Sequence, residues 1–378
     1  MMKKNKKVII GLSGGVDSSV AAYLLIKDGY DVEAVFMRNW DSATNLDFKG
    51  NPTRFDDVCE QEKDYQDAVL VANKLGIKLH KVDFIDDYWD RVFTYFLDEY
   101  KKNRTPNPDV LCNNEIKFKA FVDYVKKFDA DYIAMGHYAQ VDISGDYPRL
   151  LRAFDQNKDQ TYFLSQLRED QLKNVLFPIG HLDKSEVRKI ALEQDLATAK
   201  KKDSTGICFI GERHFNEFLS NYLPAQPGDM RRLDQTYIKK HMGLMNYTIG
   251  QRKGLGIGGT KEDTGAWYVV GKDLTTNTLY VEPDFDHPHL YSDEAIITDV
   301  VWRGPKIEGK LTAKFRYRQK DHEVSITWID DQTVKVSYPQ KIRAVTPGQV
   351  CAFYQNEVCV GSGFISEVFM DKKKRLYS

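Results

Sequence analysis

A run of glycine and serine residues, Gly11-Leu12-Ser13-Gly14-Gly15-Val16-Asp17-Ser18, lies between a predicted strand and a predicted helix. Because Gly14 and Gly15 carry no side chains, the backbone N–H groups of this run can close around an anion. The helix that follows adds unpaired N–H groups and the positive end of its dipole, and the serine hydroxyls add further donors. The run therefore predicts a phosphate-binding loop.

The type of phosphate loop indicates which reaction of the nucleotide to expect. The run has neither the Gly-Lys-Ser/Thr of a Walker A loop nor the GxGxxG spacing of a Rossmann turn. Ser-Gly-Gly-x-Asp-Ser is instead the signature of pyrophosphatase-loop enzymes, which cleave ATP between its α and β phosphates and transfer AMP to an oxygen. Asp17 is a candidate partner of Mg²⁺, as a ligand or as an anchor for its ligands, because hard cations prefer oxygen. A plain glycine turn is the alternative.

Two further residues end predicted strands at the edge of the sheet where this loop is expected. Met37 has a flexible apolar side chain that could cover an adenine ring, although a methionine in such a place is more often a core residue. Gly136 lacks a side chain, which would let a nucleotide approach the backbone there. The sequence therefore predicts a nucleotide site made by the loop, Met37 and Gly136.

Cys112 follows a stiff segment that contains Asn107, Pro108 and Asp109. Proline fixes the backbone there, and a predicted helix begins close to Cys112, so its dipole would favour the thiolate. Asp109, three residues earlier, is a candidate general acid or base for that sulfur. A small buried thiol is the alternative.

Cys208 lies in a second polar loop, between Gly206 and Gly211, which predicts a mobile segment that can approach another group closely. The lysines at 200–202 could stabilise a thiolate or attract phosphate, or could be solvated surface. The other cysteines lack such settings, and Cys351 and Cys359 are expected in strands. No CxxC pair is present and no histidine stands at zinc-ligand spacing, so a structural zinc site is not expected.

Repeating units of strand and helix fill the first half of the chain, and they predict a parallel sheet covered by helices. Strands are expected at 8–10, 31–37, 78–84 and 131–135, and helices at 18–27, 60–75, 88–101 and 115–128. Glycine and tyrosine become frequent after about residue 213, and regular short strands begin at about 285, which predicts a small β-barrel or sandwich. The predicted domains are 1–212, 213–284 and 285–378.

The composition is that of a globular chain, with 42% hydrophobic residues and a formal net charge of −1 among 378 residues. Bulk charge therefore gives no indication of nucleic acid. The alternation at 310–320 predicts a strand with Lys310, Lys314, Arg316, Arg318 and Lys320 on one face, suited to phosphate contacts or merely solvated. The chain has neither a signal-peptide core nor an apolar run that could span a bilayer, which predicts a cytoplasmic protein without a membrane partner.

The segments 11–18, 107–113, 135–138, 158–166, 206–211, 247–259, 315–319 and 346–349 together resemble the bacterial tRNA-specific 2-thiouridylases of the pyrophosphatase-loop superfamily. The resemblance implies an adenine-nucleotide alpha-hydrolase-like sheet, a small central domain and a carboxyl-terminal β-barrel that binds tRNA. It implies ATP and Mg²⁺ as cofactors, the anticodon stem-loop of tRNA as substrate, and a persulfide sulfur-donor protein as partner.

The resemblance also implies roles for single residues. Cys112 would be the nucleophile, Cys208 would carry the persulfide, and the two would form a transient disulfide. Asn107, Pro108 and Asp109 would meet the target base. Contacts with tRNA would come from the following residues: His137, Lys158, Asp159, Gln160, Arg316, Tyr317 and Gln349.

The implied reaction is chemically reasonable, because adenylation turns the poor leaving group at C2 of a wobble uridine into AMP. Sulfur then attacks C2, either from the Cys208 persulfide or as hydrosulfide freed by Cys112, and the sequence favours neither route. Reduction of the disulfide would complete the cycle. Two other functions are considered: an ATP-pyrophosphatase ligase for a small molecule, and a non-catalytic tRNA-binding protein.

Overall fold

The computed structural model describes residues 6–56, 58–203, 206–208, 210–211, 213–258 and 265–377. Within these ranges, the first part of the chain contains the following strands and α-helices: β1 Lys7–Gly11, α1 Val16–Lys27, β2 Asp31–Arg38, α2 Glu60–Leu75, β3 Lys78–Asp83, α3 Ile85–Tyr88, α4 Thr94–Lys101, α5 Pro108–Leu111, α6 Phe121–Val125, β4 Tyr132–Ala134, β5 Gln140–Asp142, β6 Arg149–Leu151, α7 Thr161–Leu164, α8 Glu169–Leu172, β7 Val175–Leu176, α9 Lys184–Glu193 and α10 Phe215–Leu219.

A parallel sheet of five described strands, in the order β3-β2-β1-β4-β7, forms the centre of this part. Val8, Ile9 and Ile10 of β1 are fully buried. Ile9 joins the hydrophobic cluster on the face that holds Cys112, whereas Val8 and Ile10 join the cluster on the other face. Both faces of the sheet are therefore covered, as parallel sheets require, and the predicted α/β architecture is confirmed.

Two helical runs next to this sheet contain π-helical segments. Trp89–Phe93 connects α3 with α4, and Cys112–Ala120 connects α5 with α6. The helix predicted at 115–128 is therefore wrong at its start, because Pro108 begins the run with the fixed backbone that a first helical turn accepts. In a π-helix the backbone bonds span five residues, and such segments often occur at functional sites.

The second part of the chain is built of strands, namely β8 Gly228–Arg231, β9 Tyr237–His241, β10 Tyr268–Asp273, β11 Thr278–Glu282, β12 Tyr291–Trp302, β13 Gly309–Lys314, β14 His322–Trp328, β15 Val334–Arg343, β16 Val350–Gln355, β17 Val358–Met370 and β18 Lys373–Lys374. Among the described residues, β8 to β11 form a small four-stranded sheet. Strands β12 to β17 follow one another in the order β12-β15-β14-β13-β16-β17, and β17 pairs with β12 again. The predicted carboxyl-terminal β-barrel is confirmed.

The first part and the barrel share a sheet. The hairpin of β5 and β6 extends the barrel, because Leu150 and Leu151 pair with Cys359 and Val358 of β17. The loop before α5 is held by both β regions: Thr105 contacts Thr248 through hydroxyls 3.2 Å apart, and its N–H donates to the Pro347 carbonyl. The domain limits drawn from the sequence stay predictions.

The basic strand predicted at 310–320 is wrong. Strand β13 ends at Lys314, and a turn follows in which Arg318 has a φ of 64°. The Gln319 side chain accepts from the Phe315 N–H and closes this turn. Arg316 and Arg318 therefore do not share a strand face with Lys310 and Lys314. No helix in the described part of the chain is long and apolar enough to cross a membrane.

Candidate active site

Short-range hydrogen bonds close the phosphate loop between β1 and α1. The Ser18 hydroxyl accepts from the Ser13 N–H at 3.2 Å and donates to the Gly15 carbonyl at 3.1 Å. Gly14 has a φ of +73°, and a Cβ there would overlap the carbonyl oxygen of Asp64. No described side chain caps the start of α1. Its first N–H groups therefore have no partner within the helix and can bind an anion.

The predicted nucleotide residues lie around this loop. A Cβ at Gly11 would lie 3.1 Å from the Met37 methyl group, and a Cβ at Gly136 would lie 2.7 Å from the Ser18 backbone nitrogen. Met37 is 7% exposed. It is therefore a packed residue at the sheet edge, next to the strand that carries the loop. The structure thus brings Met37 and Gly136 together with residues 11–18, and their contact with a nucleotide stays a prediction.

Asp17 is held by its own chain. Its carboxylate accepts from the Lys184 ammonium at 2.7 Å and from the Tyr138 hydroxyl at 2.8 Å. Lys184 also pairs with Asp203 at 2.9 Å. Burial acts to raise the pKa of Asp203, but hydrogen bonds from Lys158 and Lys184 hold that pKa below its usual range. Lys184 therefore lies beside the first turn of α1, between Asp17 and Asp203.

A second lysine reaches the loop from the other side. Lys201 donates to the Gly14 carbonyl at 2.9 Å and pairs with Asp64 and Asp67 at 2.6 and 2.5 Å. Burial raises the pKa of Asp64 despite this ion pair. In the described part of the chain, no three acidic, histidine or cysteine side chains lie close enough together to hold a metal ion.

The cysteine pair lies on the face of the sheet that the π-helical segments cover. Cys112 Sγ and Cys208 Sγ are 3.5 Å apart. Asp109 accepts from the Cys208 backbone N–H at 3.0 Å, and the Tyr88 hydroxyl donates to the Cys208 carbonyl at 2.9 Å. The structure thus brings together the three predicted catalytic residues, Cys112, Cys208 and Asp109.

The surroundings shift the pKa values of the two sulfurs in opposite directions. Burial raises the pKa of Cys112 well above its ordinary value, and Cys112 is fully buried. The hydrogen bond from Cys112 lowers the pKa of Cys208, which is also more exposed. The prediction that a helix dipole favours a Cys112 thiolate is therefore wrong, because the helical run starts four residues earlier and Cys112 lies inside it. Cys208 is the sulfur that favours the anion.

Asp109 has the properties of a proton carrier. Burial raises its pKa, although the hydrogen bond from the Cys208 N–H acts in the opposite direction. A carboxyl group with a raised pKa is closer to the range in which it can accept and return a proton near neutrality. Asp109 also precedes Cys112 by one helical turn, which keeps it near both sulfurs.

Lys117 is a residue that the sequence analysis missed. Its ammonium interacts electrostatically with Cys208, Cys112 and Asp109. Burial acts against its charge, but these anionic neighbours raise the pKa of Lys117. A signal was present in the sequence, since this lysine stands between two core residues, Ile116 and Phe118, on a predicted helix.

The end of β4 connects the phosphate loop with the cysteine pair. Gly136 packs against the first turn of α1, and the ring of the next residue, His137, lies 6.0 Å from the ring of Phe118 in the cysteine-bearing helix. His137 is 8% exposed, and its Nδ1 has no hydrogen-bond partner among the described atoms. Burial and the nearby Lys117 lower its pKa well below the ordinary histidine value, so the ring is neutral.

The predicted tRNA residues of 158–160 support the sheet edge. Lys158 pairs with Asp203 at 2.8 Å, and Gln160 accepts from the Tyr138 N–H at 2.9 Å. Asp159 is buried and accepts from the Thr161 hydroxyl at 2.8 Å. Asp159 therefore orients this segment from within, and the tRNA contacts of all three residues stay predictions.

The remaining predicted tRNA residues lie where the barrel meets the loop before α5. Gln349 donates to the Thr105 carbonyl at 2.7 Å, and the ring of Tyr317 lies 4.2 Å from that of Phe163. Arg316 donates to Ile249 of the middle region and to Thr346. The residues predicted to meet the target base, Asn107 and Pro108, directly follow this contact point. Asn107 Oδ1 is a buried acceptor without a described partner.

Fold and site together define the class: an ATP-using enzyme with a two-cysteine centre and appended β domains. Three family models match consecutive parts of the chain: a tRNA methyl transferase HUP domain at 6–212, a tRNA methyl transferase PRC-barrel domain at 216–283, and an aminomethyltransferase beta-barrel domain at 292–365.

Relatives that match over their full length identify the family more specifically. The chain is 78% identical to the tRNA-specific 2-thiouridylase MnmA of Acholeplasma laidlawii, over 99% of this chain and 100% of the relative. It is 56% identical to the protein of the same name from Staphylococcus carnosus, over 100% of both chains. The chain therefore belongs to the tRNA-specific 2-thiouridylase family. A solved 4-thiouridine synthetase–RNA complex with ATP matches 55% of this chain and 46% of its own, at 18% identity and a TM-score of 0.36, which is too weak to carry an argument.

Proposed function

We propose that this tRNA 2-thiouridylase adenylates the C2 oxygen of a wobble uridine and replaces it with sulfur carried on Cys208. The observation that supports this most strongly is the sulfur pair, 3.5 Å apart, in which Cys208 favours the anion and Cys112 the thiol. Sulfur transfer needs such an asymmetric pair, because one sulfur must be loaded and the other must later release it.

The phosphate loop and its lysines fit the adenylation step. The C2 oxygen of the uridine attacks the α-phosphorus of ATP, the bond to the β-phosphate breaks, and pyrophosphate leaves. The free N–H groups of α1 and the Ser13 hydroxyl can stabilise the charge that develops on the phosphates. Lys184 and Lys201 lie at the loop and can pair with them.

Magnesium would enter this site with its nucleotide. Asp17 is the only carboxylate in the 11–18 segment and is paired with Lys184, so the donor set fits an ion held mainly by the triphosphate with Asp17 nearby. When bound, such an ion would neutralise phosphate charge. The protein's own part is to orient the phosphates and to hold the Asp17 carboxylate in place through Lys184 and Tyr138.

Loading of sulfur fits Cys208. Its thiolate attacks the outer sulfur of a donor protein's persulfide, a new S–S bond forms, and the donor's S–S bond breaks to leave a donor thiolate. Cys208 is the more exposed of the two sulfurs and lies between glycines, which gives a donor access. Cys112 is fully buried and would stay protonated during this step.

Transfer to the base uses both cysteines. In one route the outer sulfur of the Cys208 persulfide attacks C2 and AMP leaves, after which Cys112 attacks Cys208 Sγ. In the other route Cys112 attacks first and frees hydrosulfide, which then attacks C2. Both routes require Cys112 to lose a proton, for which Asp109 is the nearby acceptor, and both end with a Cys112–Cys208 disulfide that a reductant must open.

Recognition of the base fits the loop before α5. The unpaired Asn107 Oδ1 can accept a hydrogen bond from a donor on the base, such as N3–H of uracil. Gln349 reaches this loop from the barrel, whereas Arg316 contacts Thr346 and Tyr317 packs on Phe163. All three would bind the anticodon stem-loop. A wobble nucleotide lies in a single-stranded loop, so unstacking it costs little.

The test is a thiolation assay with ATP, Mg²⁺, unmodified tRNA and a persulfide donor protein, followed by digestion and mass analysis for a uridine in which sulfur replaces oxygen. We expect product with the native chain and none with Cys208→Ser or Cys112→Ser. Cys351→Ser, a fully buried barrel thiol, is the matched control and should keep activity. Thiolation that persists in both active-site variants would refute the cysteine roles.

Family membership decides against the other functions considered. A small-molecule ligase would consume ATP without tRNA, and a non-catalytic tRNA-binding protein would release no pyrophosphate. The methyl transferase wording of two family models names a different chemistry, and the paired sulfurs of this site fit sulfur transfer. Measuring pyrophosphate release with and without tRNA separates these functions.

A further inference from the structure

Lys272 is a buried lysine in the four-stranded sheet of β8 to β11, the middle sheet. It is 1% exposed, and its ammonium donates to the Asn103 carbonyl at 2.8 Å. In the described part of the chain it pairs with no carboxylate, and burial lowers the pKa of Lys272 to about 7. Because burying a charge without an anion destabilises a fold, an apolar residue of this size would cost less here.

The carbonyl that Lys272 reaches lies just past the end of helix α4. Asn103 has a φ of 56°, and its N–H donates to the Tyr100 carbonyl. The N–H of Arg104 donates to the Glu99 carbonyl. Together these bonds form the Schellman arrangement that ends many helices. Since the negative end of a helix dipole stabilises a cation, the end of α4 is a suitable place for the ammonium.

The loop before α5 starts at the same point. Residues 104–107 belong to no helix or strand, and they lead from Asn103 to Asn107, the residue proposed to accept from the target base. The barrel holds the middle of this loop, because Gln349 donates to the Thr105 carbonyl at 2.7 Å. Lys272 holds the start of the loop from the middle sheet.

The strand that carries Lys272 is a firm support. Lys272 lies opposite Leu279 of β11, which is fully buried. On the other side of β10, the Lys272 N–H donates to the Leu376 carbonyl at 2.8 Å. The ammonium therefore extends from a backbone that two neighbouring segments fix to a loop outside any regular element.

We propose that Lys272 is a positioning residue, through which the middle sheet fixes the loop before α5 for both reactions at the target uridine. This inference rests on the proposed function, because it concerns the loop that would hold the base. Adenylation and sulfur transfer both take place at C2 of that base, and a misplacement of about 1 Å can cost about 10²-fold in rate. The middle sheet thus contributes to the reaction without touching the reacting atoms.

The first measurement is hydrogen exchange of the peptide that covers residues 102–111, in the full-length chain without ATP or tRNA. Lys272→Met removes the ammonium and keeps most of the volume. Lys239→Met is the matched control, because Lys239 lies in the same sheet and donates to the Gly256 carbonyl at 3.1 Å but is only partly buried. We expect exchange about tenfold faster in Lys272→Met and native exchange in Lys239→Met.

The second measurement is a single turnover at saturating tRNA, with Cys208 loaded beforehand with persulfide sulfur. We expect Lys272→Met to lower the rate constant for thiolation about tenfold, with native amplitude and native affinity for tRNA. A merely structural defect would instead lower the amplitude, because fewer molecules would be folded. The pH midpoint at which iodoacetamide alkylates Cys208, read at that residue by mass spectrometry, should stay unchanged and would show that the cysteine pair is intact.

The two measurements decide the inference together. A native exchange rate or a native rate constant in Lys272→Met overturns it, and so do equal changes in Lys239→Met. Should Lys272→Met fail to unfold cooperatively on heating, Lys272→Gln takes its place, because glutamine is neutral and one atom too short for Asn103, and the same two results are required of it. Absence of thiolation by the native chain would instead count against the proposed function, while hydrogen exchange still reports whether Lys272 holds the loop.

Discussion

The phosphate loop and the cysteine pair are built in opposite ways. The loop is local, since its closing hydrogen bonds join residues three to five positions apart, such as Ser18 to Gly15 and Ser13 to Ser18. The cysteine centre is assembled over long distances, because Cys208 contacts Cys112, Asp109 and Tyr88 across 96, 99 and 120 positions. Local geometry can be recognised in a motif, whereas a long-range centre depends on the whole fold.

Asp109→Asn should have the largest effect, because it should impair the reaction at the cysteine centre and leave the reaction at the phosphate loop intact. Asparagine can still accept from the Cys208 N–H, but it cannot take a proton, so thiolation should fall about 10²–10⁴-fold. Pyrophosphate release in the presence of tRNA should stay near the native rate. Asp123→Asn, on the exposed part of the same helical run, should change neither reaction. Equal loss of both reactions in Asp109→Asn would show that the two regions do not act separately.

This difference explains how much could be predicted. Gly14, Ser18 and the strand before them follow from the sequence, since their roles depend on neighbours in the chain. The pairing of Cys112 with Cys208 was implied only by the family resemblance. Lys117 was missed because helical periodicity assumes α geometry, and a π-helical segment changes which residues share a side.

Two errors have equally physical causes. The alternation through Arg316 continues the pattern of β13, but a turn closed by Gln319 ends the strand at Lys314. The thiolate was assigned to Cys112 because its helix was expected to begin there, whereas Pro108 begins it. In both cases the predicted element exists, but it ends or begins at a different residue from the one expected.

Gly14→Ala tests the phosphate loop. The added Cβ would overlap the Asp64 carbonyl and force a positive φ on alanine, which costs about 1–3 kcal/mol in strain before the overlap is counted. We expect ATP-dependent pyrophosphate release to fall at least about tenfold, while alkylation of Cys208 keeps its pH midpoint. Gly29→Ala is the control, because Gly29 has a φ of +87° and open space around it. It should lose stability alone, measured by thermal unfolding, and a comparable loss of pyrophosphate release there would remove the loop-specific explanation.

Cys112→Ala tests what lowers the pKa of Cys208 in the cysteine centre. The hydrogen bond from Cys112 is the main cause of the lowered pKa of Cys208, so its removal should raise that pKa. A thiolate exists above its pKa and disappears as the pH falls through it, so the reactive range moves to higher pH and the rate near neutrality decreases several-fold. Cys112→Ser keeps a donor and should shift the alkylation midpoint less. An equal shift in both variants would exclude the hydrogen bond as the cause.

The smallest effect is expected from Gln349→Ala. Loss of the hydrogen bond to the Thr105 carbonyl should cost about 1 kcal/mol in holding the loop before α5, which corresponds to a roughly five-fold decrease in kcat/KM for tRNA. Gln355→Ala, at the exposed end of β16, should have no effect. Unchanged kinetics in Gln349→Ala would mean that the barrel does not help to position the base-binding loop.

The most direct measurement is a single turnover with labelled sulfur. Cys208 is first loaded with a labelled persulfide, excess donor is removed, and tRNA is added with ATP or with an analogue that cannot be cleaved between its α and β phosphates. We predict that the label reaches uridine only with ATP, and that one Cys112–Cys208 disulfide appears for each labelled uridine. Transfer of label without cleavable ATP, or thiolated tRNA without that disulfide, would contradict it.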